Sequence, residues 1–319
     1  MKSILHILPG SVLLNDMETP LVIIMGPTAS GKTALSLELA EEFNGEIISA
    51  DSRQIYFGLN IGTEKVAARE KIATRYDEPI LFNYIPHYLI DIINPDQFYS
   101  AGDFQRDARQ IATKIKNFNK IPFVVGGTGF YVRALTGETS LSTIPPDPVF
   151  RAWAEKQPLN ELTKELTERD PKTVNKIDLF NPRRVIRALE IARNPSLASQ
   201  KTLKNDGQKI VKIAINRLSN DLKKIIEKRI DSQLERGLVE EVQKLREKYG
   251  ENAPGLRTIS YQELFPFLNG KMSLEQARQD IINASWHYAK RQMTWLRKEP
   301  GLVWIKTSSE ARKILREQI

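Results

Sequence analysis

The sequence predicts an α/β fold: a parallel sheet flanked by helices, carrying a small all-helical insertion. Three observations predict it. Short apolar runs of strand length alternate with helix-period segments over residues 20–140. The alternation stops at Thr143-Ile144-Pro145-Pro146-Asp147-Pro148, and residues 148 to about 204 then show helical spacing and no strand. The first apolar run, Leu21-Val22-Ile23-Ile24-Met25, leads into Gly26-Pro27-Thr28-Ala29-Ser30-Gly31-Lys32-Thr33. That is G-x-x-x-x-G-K-[ST] in its strand–loop–helix context, which places the core among P-loop NTPase-like folds.

The glycines let backbone N–H groups curl around an anion, and the start of the following helix adds partial positive charge. Lys32 supplies a cation, and the Thr33 hydroxyl suits Mg²⁺ held beside phosphates. The chain is therefore expected to bind a di- or triphosphate, and the loop alone does not say which. Bulk composition narrows the rest. Of 319 residues, 41% are hydrophobic and 27% charged, an ordinary soluble balance. Lys and Arg number 47 against 39 Asp and Glu, a net charge of +8 that suits a polyanionic partner without requiring one. With no cysteine, disulfides, Cys-zinc sites and thiol nucleophiles are excluded, in keeping with a reducing, cytoplasmic setting. No apolar run is long enough to span a bilayer. Residues 1–19 hold two apolar runs interrupted by Pro9-Gly10 and read as a disordered leader, with the functional start near Met17.

In chain order, Ala34–Phe43 has the apolar spacing of a helix, and Gly45–Ala50 reads as a second strand ending at Asp51-Ser52. Ligands of open parallel sheets sit beyond the carboxyl ends of strands, so Asp51 lies near the phosphate loop. From position alone it is equally a turn-capping aspartate. Ile55–Thr63 reads as a loop and residues 64–86 as an irregular excursion with a short helix around Lys65–Ala73. His87–Ile93 reads as a strand; His87 and Asp91 within it are more often structural than catalytic. Ser100–Asp103 resembles a capping box, and Phe104, Ala108, Ile111 and Ile115 mark one helix face. Ile121–Val125 is a buried-type strand followed by Gly126-Gly127-Thr128-Gly129. Glycines there permit close approach of a ligand, and Thr128 can donate to a phosphate oxygen, although an ordinary strand-to-helix turn looks the same.

In the insertion, placed at 141–204, Asp147 caps a helix with Pro148 first, and Asn181-Pro182 opens another. Arg183, Arg184 and Arg187 share a face of the latter, with Val185, Ile186 and Leu189 turned inward. The core resumes over 205–319. Val211–Ile215 reads as a strand, and Leu222, Ile226, Ile230 and Leu234 mark a long helix broken near Gly237. Ser273–Gln276 is a capping box, opening a helix with Ala277, Ile281, Ala284, Tyr288 and Trp295 on one side and Lys290, Arg291, Arg297 and Lys298 on the other. Leu302–Ile305 reads as a last strand. Basic helix faces are usually just solvated, but aromatic residues interleave with this one, which favours nucleic-acid contact.

Together the motifs resemble the tRNA dimethylallyltransferases, the isopentenyl-tRNA transferases of the MiaA type. The matching segments are residues 26–33, Ile47–Tyr56, Asn60–Thr63, Pro86–Asp91, Tyr99–Phe104, Val125–Tyr131, Asn181–Glu190 and Ala289–Arg297. The resemblance implies transfer of a dimethylallyl group from its diphosphate to the exocyclic amine of the adenosine 3′ of the tRNA anticodon. The loop Gly26–Thr33, with Arg229, would then grip the donor's diphosphate rather than ATP. Asp51 matches the general base, Thr128 the threonine near the reacting site, and Thr33 the Mg²⁺ ligand. Asp51, Ser52, Arg53, Gln54, Thr128, Arg151, Arg183, Arg184, Arg187, Arg257, Lys290, Arg291 and Arg297 match tRNA-contact positions. The acceptor base must leave the anticodon-loop stack to react.

Departures cluster in the last third. Ile225, Gln262, Ile282 and Trp286 stand at usually basic positions, and Ser260 stands at a usual glycine. The chain is thus expected to be a divergent member with intact chemistry and altered polyanion contacts, acting as a monomer. Alternatives are prenyl transfer to free adenine nucleotides, a P-loop kinase or ATPase, and a non-catalytic RNA-binding descendant.

Overall fold

The computed structural model describes residues 19–66, 75–139, 141–142, 144–194, 207–216 and 220–319. They fall into a larger unit, up to Thr136 and again from Gly207 to Ile319, and a smaller one within Gly137–Asp206. The leader expected over 1–19 lies outside the described residues except for Thr19, and so does most of the helix expected around Lys65–Ala73.

The larger unit is built on a seven-stranded sheet. Its strands are β1 (Leu21–Met25), β2 (Gly45–Ser49), β3 (Ile80–Phe82), β4 (Ile85–Tyr88), β5 (Ile121–Gly126), β6 (Ile210–Ile215) and β7 (Leu302–Ile305), ordered β3-β4-β2-β5-β1-β6-β7. β1 lies between β5 and β6, with Ile23 opposite both Val124 and Lys212. Every residue of β1 is buried, because a central parallel strand is covered on both faces. That explains its unbroken apolar run.

The sheet departs from the all-parallel expectation at one edge. β3 pairs antiparallel with β4 through a hairpin whose turn residues Asn83 and Tyr84 both have left-handed backbone, at φ 48° and 62°. This hairpin occupies part of the stretch expected to be irregular. The strand expected over His87–Ile93 ends at Tyr88, because Leu89 and Asp91 adopt φ 60° and 52° and break the extended run.

Helix α1 (Lys32–Glu42) follows β1 directly, and α2 (Ala101–Asn117) starts at a complete capping box between Ser100 and Asp103. Phe104, Ala108, Ile111 and Ile115 on α2 are fully buried. Short α3 (Gly129–Leu135) follows β5. In the smaller unit, α4 (Pro148–Ala154), α5 (Leu159–Arg169), α6 (Pro171–Val174) and α7 (Pro182–Ala192) close around Phe150, Leu162, Leu166, Val185 and Leu189. Asp147 and Asn181 cap α4 and α7 as their sequence positions suggest.

The larger unit continues with α8 (Asn220–Glu235) and α9 (Leu238–Tyr249), separated at Gly237. Gly237 stands at φ 93°, a conformation that admits glycine at little cost. Then come α10 (Phe265–Leu268), the 23-residue α11 (Leu274–Leu296) and α12 (Ser308–Gln318). Ile226 and Ile230 of α8 and Ile281 and Ala289 of α11 share a core with Ile55, Tyr56 and Leu59, the loop after β2. That shared core holds α11 beside the carboxyl ends of β2 and β5.

Candidate active site

The loop between β1 and α1 has the backbone of an anion cradle. Ala29 and Gly31 are left-handed, at φ 61° and 93°. Gly31 is the N-cap of α1, no side chain caps that helix, and no acidic residue occupies its first turn. The first amides of α1 are thus left for a ligand, with the helix dipole favouring an anion. Lys32 Nζ donates to the carbonyls of Gly26 and Pro27 at 2.9 and 2.7 Å, which folds the ammonium over the loop. Burial pulls its pKa from 10.5 down to about 8, against the raising effect of Asp51 and with a smaller lowering by Arg229. Arg229 on α8 donates to the Thr28 hydroxyl at 3.0 Å, which brings a second cation to the loop.

The ends of β2 and β5 meet beside this loop. The Thr128 amide donates to the Ala50 carbonyl, and the Thr128 hydroxyl accepts from the Ser52 amide at 3.2 Å. A Cβ on Gly126 would stand 2.2 Å from the Ala50 oxygen, so only glycine lets the two strand ends approach this closely. Asp51 Oδ1 accepts from the amides of Arg53 at 2.8 Å and Gln54 at 3.4 Å. The aspartate therefore does cap the turn, with one oxygen. Among the described residues Oδ2 accepts no hydrogen bond.

Two cavities adjoin Asp51. The smaller, about 60 Å³, is lined by Lys32, Thr33, Ser49, Asp51, Gln54 and His87 among others. The larger, about 390 Å³, is lined by Thr28, Asp51, Arg229, Arg257, Tyr288 and Arg291 together with Ile226, Ile230 and Ile259. The first lies beside the phosphate loop and mixes Lys32, Asp51 and hydroxyl groups with Ile47, Ile90 and Val125. The second combines cations with an apolar wall. Tyr288 is pushed up to about 12 by burial and then by the Asp51 charge, so it stays a neutral hydrogen-bond donor.

The other expected positions divide. Ser52, Arg53, Arg257 and Arg291 line the larger cavity, while Gln54 lines the smaller and donates to the Thr63 and Glu64 carbonyls. Lys290 is exposed and lies over the Trp286 ring, and Arg297 is exposed at the end of α11. In the smaller unit Arg183 and Arg184 are exposed, but Arg151 and Arg187 both bind Glu190. Glu190 is 1% exposed; burial pushes its carboxyl up, but the bonds from Arg151, the Asp147 amide and Arg187 outweigh that and leave it low. Those two guanidinium groups serve as partners of a buried carboxylate.

Of the neutral substitutions, Ile282 is buried in the shared core beside Ile281, and Trp286 packs against it. Gln262 is exposed at the rim of the larger cavity. Ser260 is buried at φ 78°, a backbone that explains why glycine is the usual residue there. His87 Nδ1–H donates to the Ile85 carbonyl at 2.9 Å, and Asp91 binds Lys65 at 2.5 Å. Sequence reasoning missed Glu241 on α9. Its carboxylate accepts from the amides of Asn60, Ile61 and Gly62 and from the Tyr261 hydroxyl, fixing the loop that edges the larger cavity. No local pattern announces it.

A mostly parallel sheet with a glycine-rich loop between β1 and α1 and an aspartate after β2 that lines two cavities defines a P-loop NTPase-like fold. Comparison with known proteins specifies it further. The IPP transferase model matches residues 54–299, and the isopentenyl transferase model matches residues 19–76. The chain is 36% identical over 300 residues to a tRNA dimethylallyltransferase of Leuconostoc citreum, covering 94% of this chain and 98% of that one. It is 35% identical to the tRNA dimethylallyltransferase of Bacillus subtilis, over 91% and 92% of the two chains. The structure of a tRNA isopentenylpyrophosphate transferase from Bacillus halodurans is similar at a TM-score of 0.69 and 34% identity, covering 94% and 96%. A eukaryotic dimethylallyltransferase acting on tRNA is similar at a TM-score of 0.74 and 25% identity, covering 93% of this chain and 78% of that one. The chain belongs to the IPP transferase family. Among the described residues, no helix is long and apolar enough to cross a membrane.

Proposed function

We propose that the chain transfers a dimethylallyl group from dimethylallyl diphosphate to the exocyclic amine of the adenosine 3′ of the anticodon in tRNA, releasing pyrophosphate. The observation that carries this is the position of Asp51 in the walls of two cavities, a small one at the phosphate loop with Lys32 and Thr33 and a larger one with Arg229, Arg257 and Arg291. A reaction that joins the prenyl carbon of a bound diphosphate to a base arriving from elsewhere needs this division.

The diphosphate lies on the loop amides with Lys32, and Arg229 stands beside it at Thr28. As the carbon–oxygen bond breaks, charge grows on the leaving diphosphate, and these cations and dipoles stabilise it in place. Adenine's amine is a weak nucleophile because its lone pair is delocalised into the ring. Asp51 accepts its proton as the new carbon–nitrogen bond forms. Thr128, tied to the turn after Asp51, keeps the aspartate's strand end in register with the donor. Thr33, Ser49 and Asp51 bring hard oxygen donors to the small chamber, a set that fits Mg²⁺. Thr33 would hold the ion, which when bound neutralises diphosphate charge.

On the acceptor side, Arg53, Arg257 and Arg291 in the larger cavity and Lys290, Arg297, Arg183 and Arg184 on exposed helix surfaces meet RNA phosphates. Arg151 and Arg187 support this by shaping their unit around Glu190. The work is done in the cytoplasm by a monomer. Asp51→Asn tests the assignment. Asparagine retains Oδ1 for the Arg53 amide but cannot take the proton, so transfer should fall by about 100-fold or more. Pyrophosphate binding, read by calorimetry, should persist. A variant with wild-type turnover would remove Asp51 from the chemistry.

A further inference from the structure

Helix α11 reaches the phosphate loop through one buried amide. Gln292 is 3% exposed. Its Oε1 accepts from the Thr28 amide at 2.8 Å, and its Nε2 donates to the Gly127 carbonyl at 3.0 Å. Both ends of the side-chain amide are committed, which fixes its orientation. The glycine turn is shaped to receive it. A Cβ on Gly127 would stand 2.2 Å from Gln292 Nε2, and a Cβ on Gly129 would stand 2.6 Å from the ring of Trp295, one turn further along α11.

The peptide that Gln292 holds is the one that holds Lys32. The Pro27–Thr28 unit gives its N–H to Gln292, and its carbonyl accepts from Lys32 Nζ at 2.7 Å and from the Ser30 amide at 3.3 Å. Rotating that peptide would swing the carbonyl and carry the ammonium's anchor with it. Thr28 also binds Arg229 through its hydroxyl, so turning the residue would displace the second cation too.

We infer that Gln292 is a positioning residue of the donor site: through the Pro27–Thr28 peptide it fixes where Lys32 meets the diphosphate. It acts through the loop and touches neither the prenyl group nor the adenine. The inference rests on the proposal that this loop takes a diphosphate. It adds that α11, whose Tyr288 and Arg291 line the acceptor cavity, also sets the geometry of the donor grip. Without Gln292 the Thr28 amide loses its partner in a buried setting and the peptide gains freedom to tilt.

The test uses two variants of the full chain. Gln292→Met keeps the volume and removes the hydrogen bonds to Thr28 and Gly127 along with the contact to Tyr288. Gln292→Glu keeps the acceptor for Thr28 but sets a carboxylate oxygen against the Gly127 carbonyl. Inorganic pyrophosphate binding is measured by calorimetry, and transfer kinetics are measured with donor and tRNA varied separately. Loss of a hydrogen bond that orients a charged group should weaken pyrophosphate binding and raise the donor KM about tenfold. The tRNA KM should rise far less, since Gln292 meets the acceptor cavity only through Tyr288, and general loss of folded protein cannot produce that split. An unchanged pyrophosphate affinity in folded Gln292→Met would overturn the inference, as would donor and tRNA KM rising in parallel. If the wild-type chain binds pyrophosphate but prenylates no tRNA, the proposed function fails, and the pyrophosphate measurement still decides the role of Gln292. If Gln292→Met does not fold, Gln292→Glu decides by the same criteria.

Discussion

Replacing Lys32 with methionine should stabilise the donor-free protein at neutral pH while abolishing its grip on diphosphate. The ammonium is tucked against the Gly26 and Pro27 carbonyls, and burial holds its pKa at about 8 in place of 10.5. A lysine whose folded pKa lies below its unfolded one binds its proton more weakly in the folded state. It therefore subtracts stability, fully so below about pH 8, and the penalty fades as pH rises toward 10.5, where the unfolded chain loses the proton as well. The drop corresponds to about 3 kcal/mol. Lys32 as a residue is only half-buried, so screening brings the expected penalty to about 1–3 kcal/mol. Methionine retains the length of the stem without the charge. The assay is urea unfolding of both proteins without ligand, at pH 7 and at about pH 10.5. Lys32→Met should unfold at higher urea at pH 7, and the gap should narrow at the alkaline pH. Pyrophosphate should then raise the midpoint of the wild type and leave the variant unmoved. A variant no more stable than wild type at pH 7 would refute the reasoning, because the ammonium would then not be paying a desolvation cost.

The same titration predicts that wild-type pyrophosphate affinity, followed by calorimetry, declines as pH rises through about 8, since the neutral amine attracts no anion. An affinity flat to well above that pH would contradict it. Ser260→Gly should raise the unfolding free energy by up to about 1 kcal/mol, read as a higher denaturant midpoint, since Ser260 sits at φ 78° and glycine removes the left-handed strain at some entropic cost. Gln262→Lys adds a cation at the rim of the larger cavity. It should tighten tRNA binding at low salt and steepen the dependence of log affinity on log salt by about one.

Local chemistry was the legible part. The phosphate loop, the Ser100 and Ser273 capping boxes and the burial of β1 each depend on residues adjacent in sequence, and the structure has them where the pattern puts them. Asp51 was readable as lying near the loop, and it turns out to cap a turn and line both cavities, so the two readings of its position are compatible. The β3–β4 hairpin was not legible, because Tyr84 is no turn signal and the left-handed backbone it adopts is imposed by pairing. Helix periodicity put Arg187 on a face with Arg183 and Arg184, and the resemblance put Arg151 among the tRNA-contact positions. Arg151 joins α4 to Glu190 of α7 across 39 residues, a separation periodicity does not report, while Arg187 meets Glu190 within its own helix. Gln292 illustrates the same limit: its contact with Thr28 spans 264 residues, and only packing of the complete fold brings the pair together.

Transfer of the prenyl carbon from a diphosphate on Gly26–Thr33 to a tRNA adenosine near Asp51 leaves a chemical mark that can be weighed. The purified chain is incubated with dimethylallyl diphosphate, Mg²⁺ and unmodified tRNA, and the RNA is then digested to nucleosides for mass measurement. The expected result is an adenosine heavier by one dimethylallyl group in place of hydrogen, confined to the position 3′ of the anticodon, with one pyrophosphate released per modified tRNA. Unmodified tRNA, or a prenyl group appearing on free AMP in preference to tRNA, would contradict it.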